Sequence, residues 1–249
     1  MEVSVVIPNF NGIAFLDSVL ASLEGQTLNN FEVILVDNGS TDGSCSFVTA
    51  NYPWVHLIEL SENFGFCGAV NAGIRAAKAP YVLLLNNDTE VKEDFVEEML
   101  AAIRRHKNAF SCGARMVQYH DRDKLDDVGN YYCALGWSFA RGRGKDIHAY
   151  ETEDRIFSAC AGAAIYRKKI LEKIGYFDEE HFAYLEDTDI GYRARIYGYE
   201  NWYAPKAIVY HVGSGTSGSR YNQFKTRYSS RNNIYLIYKN MPLLQVILN

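Results

Sequence analysis

The first half of the chain alternates short apolar runs with amphipathic stretches. Val3–Ile7, Phe31–Val36, Val55–Leu60 and Tyr81–Leu85 are rich in Val, Ile and Leu. Runs of this length predict strands buried on both faces of a parallel sheet. Between them, Phe15, Leu16, Val19, Leu20 and Leu23 recur at helical spacing, as do Phe95, Val96, Met99, Leu100 and Ile103. This alternation predicts an α/β fold, a mostly parallel doubly wound sheet with helices on both faces and right-handed crossovers. Ligands bind such sheets beyond the carboxyl ends of the strands. Each run leads into a polar segment at that edge: Pro8-Asn9-Phe10-Asn11-Gly12, Asp37-Asn38-Gly39-Ser40-Thr41-Asp42-Gly43, Glu62-Asn63-Phe64-Gly65 and Asn86-Asn87-Asp88-Thr89. Turn chemistry alone accounts for any one of them. Four on one edge point to a shared ligand site.

The second half is less regular. Residues Gln118 to Ile156 lack periodicity and carry Gly129, Gly136, Gly142 and Gly144 among several aromatics, the signature of a functional insertion. A helix is predicted over Lys168–Ile174, and another opens on the acidic cluster Glu186-Asp187-Thr188-Asp189 and runs to about Tyr197. Two short strands are expected near Trp202 and over Ile208–Tyr210. A loop from His211 to Ser219 and a last helix starting near Tyr221 follow.

Composition narrows the class. With 249 residues, 48% of them hydrophobic, the chain suits one large α/β domain. The net charge of −5, with both signs interleaved along the chain, excludes nucleic acid as main partner, because phosphate binding needs a basic face. Five scattered cysteines without metal-ligand spacing read as reduced thiols. The amino terminus enters a strand at once, with no basic leader, and no apolar run reaches the length of a membrane span. These features give a cytoplasmic expectation. Met241 to Asn249 is apolar and stops abruptly, so it reads either as a core helix end or as the start of a truncated, membrane-facing tail. The second reading places the protein at the periphery of the cytoplasmic membrane face.

Taken in order, three segments of the first half are Val5-Val6-Ile7-Pro8-Asn9-Phe10-Asn11-Gly12, Val36-Asp37-Asn38-Gly39-Ser40-Thr41-Asp42-Gly43 and Leu84-Leu85-Asn86-Asn87-Asp88-Thr89. They resemble the opening half of family-two glycosyltransferases with the GT-A fold. Leu185-Glu186-Asp187-Thr188-Asp189-Ile190-Gly191-Tyr192-Arg193 and Tyr210-His211 resemble motifs of that family's second half. Asn63-Phe64-Gly65-Phe66-Cys67-Gly68 and the Asn-Asn-Asp-Thr segment are most similar to the bacterial rhamnosyltransferase-like branch. The resemblance implies a single inverting catalytic domain over 1–249 with a small second sheet. Residues 1–117 would form the nucleotide-sugar half and 118–249 the acceptor half. It also implies transfer from dTDP-rhamnose, or from a UDP-sugar, to a cell-surface glycan or lipid-linked acceptor. The Gln-x-x-Arg-Trp segment of processive synthases is missing, which implies one sugar per encounter.

Such a transfer needs a held nucleoside, a neutralised diphosphate and an activated acceptor hydroxyl. Asp37, after the second strand, is placed to accept from a base imide N–H, or else caps its own turn. The resemblance adds Pro8, Asn9, Asn11, Asn63, Gly65, Asn71, Asn87 and Asp88 to the donor site. Asp88 is a hard oxygen ligand for Mg2+ or Mn2+. The resemblance makes Asn86-Asn87-Asp88 the counterpart of an Asp-x-Asp signature whose first carboxylate is absent, and it implies His211 as second metal ligand. An oxygen–nitrogen donor pair tilts the choice toward Mn2+. Glycine-rich residues 213–218 would close over phosphates.

Glu186, Asp187 and Asp189 all suit a helix's first turn, where the dipole favours the ionised form. Periodicity does not rank them; the resemblance selects Asp187 as the base that deprotonates the acceptor. Asp189 would orient Arg193 one turn on. Two rivals stand beside this reading. A nucleotidyltransferase would carry basic residues in the loop after the first strand, which Pro8–Gly12 lacks. A non-catalytic glycan-binding module would tolerate loss of Asp88, Asp187 or His211, yet all three are present.

Overall fold

The structure, a computed structural model, describes residues 1–213 and 222–248. The expected phosphate-covering loop lies largely outside these described residues, as does Tyr221. In chain order the first half runs β1 (Val3–Asn9), α1 (Ile13–Glu24), β2 (Phe31–Asp37), α2 (Ser44–Asn51), β3 (His56–Glu59), α3 (Gly65–Ala76), β4 (Tyr81–Leu85), β5 (Thr89–Val91) and α4 (Phe95–Arg105). The second half runs β6 (Ala109–Gln118), β7 (Leu125–Asp127), β8 (Asn130–Tyr132), β9 (Ser138–Ala140), β10 (Asp154–Ile156), β11 (Ala163–Arg167), α5 (Lys168–Ile174), α6 (Glu186–Ile196), β12 (Glu200–His211), α7 (Gln223–Asn240) and α8 (Leu243–Leu248).

One large sheet has the order β10-β12-β6-β11-β4-β1-β2-β3, with β5 added on β12 and β7 on β6. The strands β3-β2-β1-β4 are all parallel, as their continuous apolar runs predict. Beyond β4 the sheet is mixed, because β11 runs antiparallel to both β4 and β6 while β12 is parallel to β6. Alternate side chains of β1 point to opposite faces. Val5 and Ile7 join a core with α1 and α4, and Val6 joins a second core with α3, α5 and α6. Helices therefore cover both faces. A separate hairpin, β8-β9, forms the expected small second sheet.

Two expectations change. The run Val55–Leu60 is a short edge strand, exposed or half-buried along His56–Glu59, rather than a strand buried on both faces. Leu57 packs against one core and Ile58 and Leu60 against the other, each only partly covered because β3 ends the strand order. The two strands expected near Trp202 and Ile208 are one long strand, β12, whose register with β6 shifts between Ala204 and Ile208. Pro205 lies in that interval and has no N–H for the ladder, which is why the sequence reads as a break.

Helix α7 fixes the segment that leads into α6. Phe182, Tyr184 and Leu185 have positive φ angles of 62°, 73° and 64°, a conformation costly for residues with a Cβ. The fully buried Asn232 amide donates to the carbonyls of His181, Ala183 and Tyr184 at 2.7–2.9 Å and holds them there. One turn further on, the fully buried Asp189 accepts from Arg193 Nε at 2.9 Å, Lys239 Nζ at 3.2 Å and Asn240 Nδ2 at 2.7 Å. Arg193 also donates to the carbonyls of Ile174, Gly175 and Tyr176, closing the end of α5. Asp189 thus orients Arg193 as expected and in addition binds α6 to α7. Asp189→Ala leaves the largely buried Arg193 charge without its carboxylate, while Lys239 keeps Asp178 at 2.6 Å. Chemical denaturation is expected to show a loss of about 3–5 kcal/mol at unchanged m.

Candidate functional site

The carboxyl ends of β1, β2 and β4 are joined by side-chain hydrogen bonds. Asn9, at the end of β1, donates from Nδ2 to Asp37 Oδ2 at 2.9 Å and accepts at Oδ1 from Asn87 Nδ2 at 2.7 Å. Asp37 Oδ1 in turn accepts from the Ser40 backbone N–H at 2.8 Å, so the carboxylate also caps its own turn. Asn11 ties the two loops together, donating its N–H to Ser40 Oγ and accepting the Thr41 N–H at 2.8 Å each. Pro8 lies opposite Val36 in the ladder and precedes this cluster. A Cβ on Gly12 would meet Asn87 Nδ2 at 2.1 Å, so glycine is required for the first loop to approach β4.

The third loop joins through Asn38. Its amide donates to Asn63 Oδ1 at 2.9 Å and the Gly65 carbonyl at 3.0 Å, and accepts the Phe64 N–H at 2.9 Å. Gly65 has φ +74°, and a Cβ there would lie 2.5 Å from the Phe182 carbonyl. The close approach that demands this glycine is therefore made by the chain's own 182 segment. Asn71 is not part of this group. Its buried amide donates to the Phe177 carbonyl at 2.8 Å and to Glu179 Oε1 at 2.9 Å, and accepts the Phe177 N–H at 3.1 Å. It pins α3 to the chain ahead of α6.

Asp88 and His211 meet because β5, which begins at Thr89, pairs with β12 at His211. His211 Nε2 lies 3.3 Å from Asp88 Oδ1, and Nδ1 lies 2.7 Å from Asp126 Oδ2. Asp126, on β7, is held in turn by Arg143 at 3.3 Å. Burial alone would lower the His211 pKa. Hydrogen bonds to the two carboxylates and their charges outweigh that and push it up to about 10. Burial would raise the Asp126 carboxyl, but the His211 hydrogen bond and charge, with Arg143, hold it below its usual value.

Asp88 and the His211 Nε2 edge form an oxygen–nitrogen donor pair suited to a divalent cation. Asp126 on the far nitrogen would keep the proton on Nδ1 and leave the Nε2 lone pair for the ion. The carboxylate absent at Asn86 thus has a counterpart at Asp126, on the other side of the ring. Sequence reasoning assigned no role to Asp126. Its signal was the Asp126-Asp127-Val128-Gly129 segment inside the aperiodic insertion.

The three acidic residues at the start of α6 occupy different environments. Asp189 is consumed by Arg193, Lys239 and Asn240. Glu186 is buried with no partner for Oε2 among the described residues, and burial with the neighbouring Asp187 charge pushes its pKa up to about 8. Asp187 is half-buried. Its Oδ1 accepts from the Thr188 N–H at 2.6 Å, and Oδ2 accepts from Asn130 Nδ2 at 3.4 Å. Burial raises its pKa despite these donors and those of Ala161, so the helix dipole does not leave it an ordinary acid. Asn130 also donates to Ser158 Oγ at 3.2 Å, which fixes the amide under Asp187. The adjacent Asp127 is raised well above the carboxylate range by burial, opposed by the Gly129 N–H and reinforced by Asp187 and Asp126. Among the described residues, then, the cleft gathers several carboxylates with unequal proton affinities.

This arrangement agrees with what the chain is similar to. Residues 4–175 match the family described as Glycosyl transferase family 2. An N-acetylglucosaminyl-diphospho-decaprenol L-rhamnosyltransferase of Mycobacterium tuberculosis is 27% identical over 86% of this chain and 77% of its own length. Glycosyltransferase GlyG of Streptococcus pneumoniae is 31% identical over 52% of this chain and 42% of its own. Among solved structures, S. aureus TarS has a TM-score of 0.65 at 21% identity, covering 97% of this chain and 40% of that one. GalNAc-T7, solved with UDP, GalNAc and Mn2+, has a TM-score of 0.75 at 15% identity, covering 96% of this chain and 48% of that one. At these identities the structures speak for the shared GT-A fold alone. The chain belongs to glycosyltransferase family 2.

Proposed function

We propose that the chain transfers rhamnose, with inversion, from dTDP-rhamnose to a hydroxyl of a lipid-linked glycan precursor. The observation that carries the mechanism is the separation of the α6 carboxylates. Asp189 is locked in an ion pair and Glu186 is pushed toward its neutral form, which leaves Asp187 as the accessible base. Its Oδ2, steadied by Asn130, takes the proton from the acceptor hydroxyl while that oxygen attacks the anomeric carbon. The anomeric carbon–oxygen bond to the diphosphate breaks as the new bond forms on the opposite face. The raised pKa suits the role, because a base near its operating pH shares its proton most readily.

Asp37, with Pro8, Asn9, Asn11, Asn63, Gly65 and Asn87 around it, holds the nucleoside end of the donor; Asn71 supports that wall from behind. Asp88 and His211 would hold Mn2+ or Mg2+, which supplies positive charge to the departing diphosphate. The lipid-linked acceptor and the donor sugar are argued from the mycobacterial relative, whose name specifies a decaprenol-linked substrate and L-rhamnose. A UDP-sugar donor is the second reading. The acceptor places the work of the enzyme at the cytoplasmic membrane face.

Calorimetric titration with dTDP, UDP, GDP and ADP, with and without Mn2+, tests the donor assignment. Metal-dependent binding of dTDP, lost in Asp88→Ala, is expected. Preference for UDP would move the donor to the second reading, and no binding by any nucleotide would leave a glycan-binding module instead. Asp126→Asn keeps the ring's hydrogen-bond partner but removes its charge. The same titration should show metal-dependent affinity weakened roughly 10- to 100-fold.

Asp187→Asn is expected to lower kcat roughly a hundred- to ten-thousand-fold, with KM for the donor little changed. The wild-type kcat/KM profile has its own signature. Asp187 acts deprotonated and its pKa is raised, so activity is lost as pH falls through that raised value. The acid limb should therefore lie at higher pH than an ordinary aspartate gives, and it should be the limb missing from the residual rate of the Asn variant.

A further inference from the structure

All 30 acidic residues of the chain precede Asn201, whereas six of its 25 Lys and Arg follow it. The last 49 residues are therefore purely basic on a protein whose net charge is −5. Four of the six, Lys225, Arg227, Arg231 and Lys239, lie on α7. Among the described residues after His211, Arg227, Arg231 and Lys239 are exposed and Lys225 is half-exposed.

The same helices expose large apolar side chains where the basic ones stop. Tyr238 is 81% exposed, and Leu243, Leu244 and Ile247 are 75%, 70% and 73% exposed. The β8–β9 hairpin extends this surface. Its turn residue Gly136 is seated on Ile237, where a Cβ would come within 2.6 Å of Cδ1, and it faces Met241 at the α7–α8 junction. The residues beside that glycine, Leu135 and Trp137, are 67% and 59% exposed. Apolar patches of this size on one end of a protein mark an interaction surface. Basic residues bordering aliphatic side chains, with Trp and Tyr between, match the headgroup region of an anionic bilayer. Among the described residues no helix is long and apolar enough to cross a membrane, so the face would lie on it.

We propose that α7, α8 and the β8–β9 hairpin tip form a docking face for an anionic lipid surface, with Leu243, Leu244 and Ile247 entering the interface and Lys225 and Arg227 meeting the headgroups, while Arg231 and Lys239 stay on their internal partners. The value of such docking for catalysis rests on the transfer reading above. Asn130, at the start of the hairpin, bonds Asp187, and the hairpin's turn rests on the docking helices. A membrane met by this face therefore lies against the elements that hold the base, where a lipid-linked acceptor is presented.

Cosedimentation of the chain with vesicles of phosphatidylcholine alone, or of phosphatidylcholine with phosphatidylglycerol, tests the face without donor or acceptor. Binding to the anionic vesicles, little binding to the neutral ones and release by high salt are expected. Leu244→Glu with Ile247→Glu should abolish binding. Lys225→Gln with Arg227→Gln should weaken it roughly fivefold for each charge removed. All four positions lie outside the donor site, so an unchanged circular-dichroism spectrum and unchanged dTDP affinity would show that the variants fold. Failure to bind anionic vesicles overturns the proposal, as does binding that survives the two glutamates. A dimer in light scattering that those glutamates dissociate would also overturn it, because a second copy would then cover the face. A protein that binds vesicles but no nucleotide would refute the donor assignment and leave this face standing.

Discussion

The site is built on a row of carboxylates held at one edge of the sheet, and their mutual repulsion is the constraint that the surrounding structure answers. Asp88, Asp126, Asp127 and Glu186 are all less than a tenth exposed, and Asp187 lies beside them. Like charges brought together out of water cannot all stay ionised. Three solutions are visible. His211 stands between Asp88 and Asp126 as a cation, Arg143 adds a second positive charge, and Asp127 and Glu186 are driven toward their neutral forms. What remains is a division of labour among chemically identical groups. Asp88 faces the Nε2 edge of His211, and Asp187 keeps an accessible, hydrogen-bonded carboxylate.

That division would fail if α6 could shift by a fraction of a turn, since Glu186, Asp187 and Asp189 differ only in the direction each faces. The buried side of α7 prevents it. Asn232 holds the three carbonyls before α6, and Asn240 and Lys239 hold Asp189 within it. Three residues with positive φ in the segment 182–185 store strain that this network must offset. Gly65 accepts the same segment from the other side, its missing side chain leaving room for the Phe182 carbonyl. Buried polar networks with every donor used fix one arrangement more firmly than apolar packing does. Here that firmness sets which of three carboxylates is left without an ion-pair partner and open to solvent.

The parallel half of the sheet was legible because Val3–Ile7, Phe31–Val36 and Tyr81–Leu85 are buried on both faces, and burial writes itself into composition. β3 was not, because an edge strand uses the same residue types on both faces while its open edge leaves them half covered. Asp37 and Asp88 had a local signal, since Asp37 ends β2 and Asp88 lies in the short polar turn between β4 and β5. Asp126 could not. It matters only because β7 folds back antiparallel on β6 beside the end of β12, a long-range pairing with no local period. Asn71 shows the opposite failure. A polar residue in a glycine-rich, site-facing helix invites a ligand role, yet its amide is fully spent on Phe177 and Glu179. The ranking of Glu186, Asp187 and Asp189 was likewise beyond periodicity, because neighbours more than 40 residues away in the chain decide it.

Helix α7 has two faces with opposite demands. Inward, Asn232, Leu236 and Asn240 are buried and carry the hydrogen bonds that position α6. Outward, Arg227, Arg231, Ile234 and Tyr238 recur at spacings of three and four and lie exposed along one stripe. Arg231 belongs to both, since its guanidinium donates to the His181 carbonyl while its flank stays open to solvent. A helix with one amphipathic face would need only to pack. This one has its polar groups inside, where they fix the orientation of α6, and large apolar groups outside, where packing does not require them. The inversion is what separates α7 from α1 and α4, whose apolar stripes are spent entirely on the core. It makes α7 a bracket between the α6 carboxylates and whatever the exposed face meets.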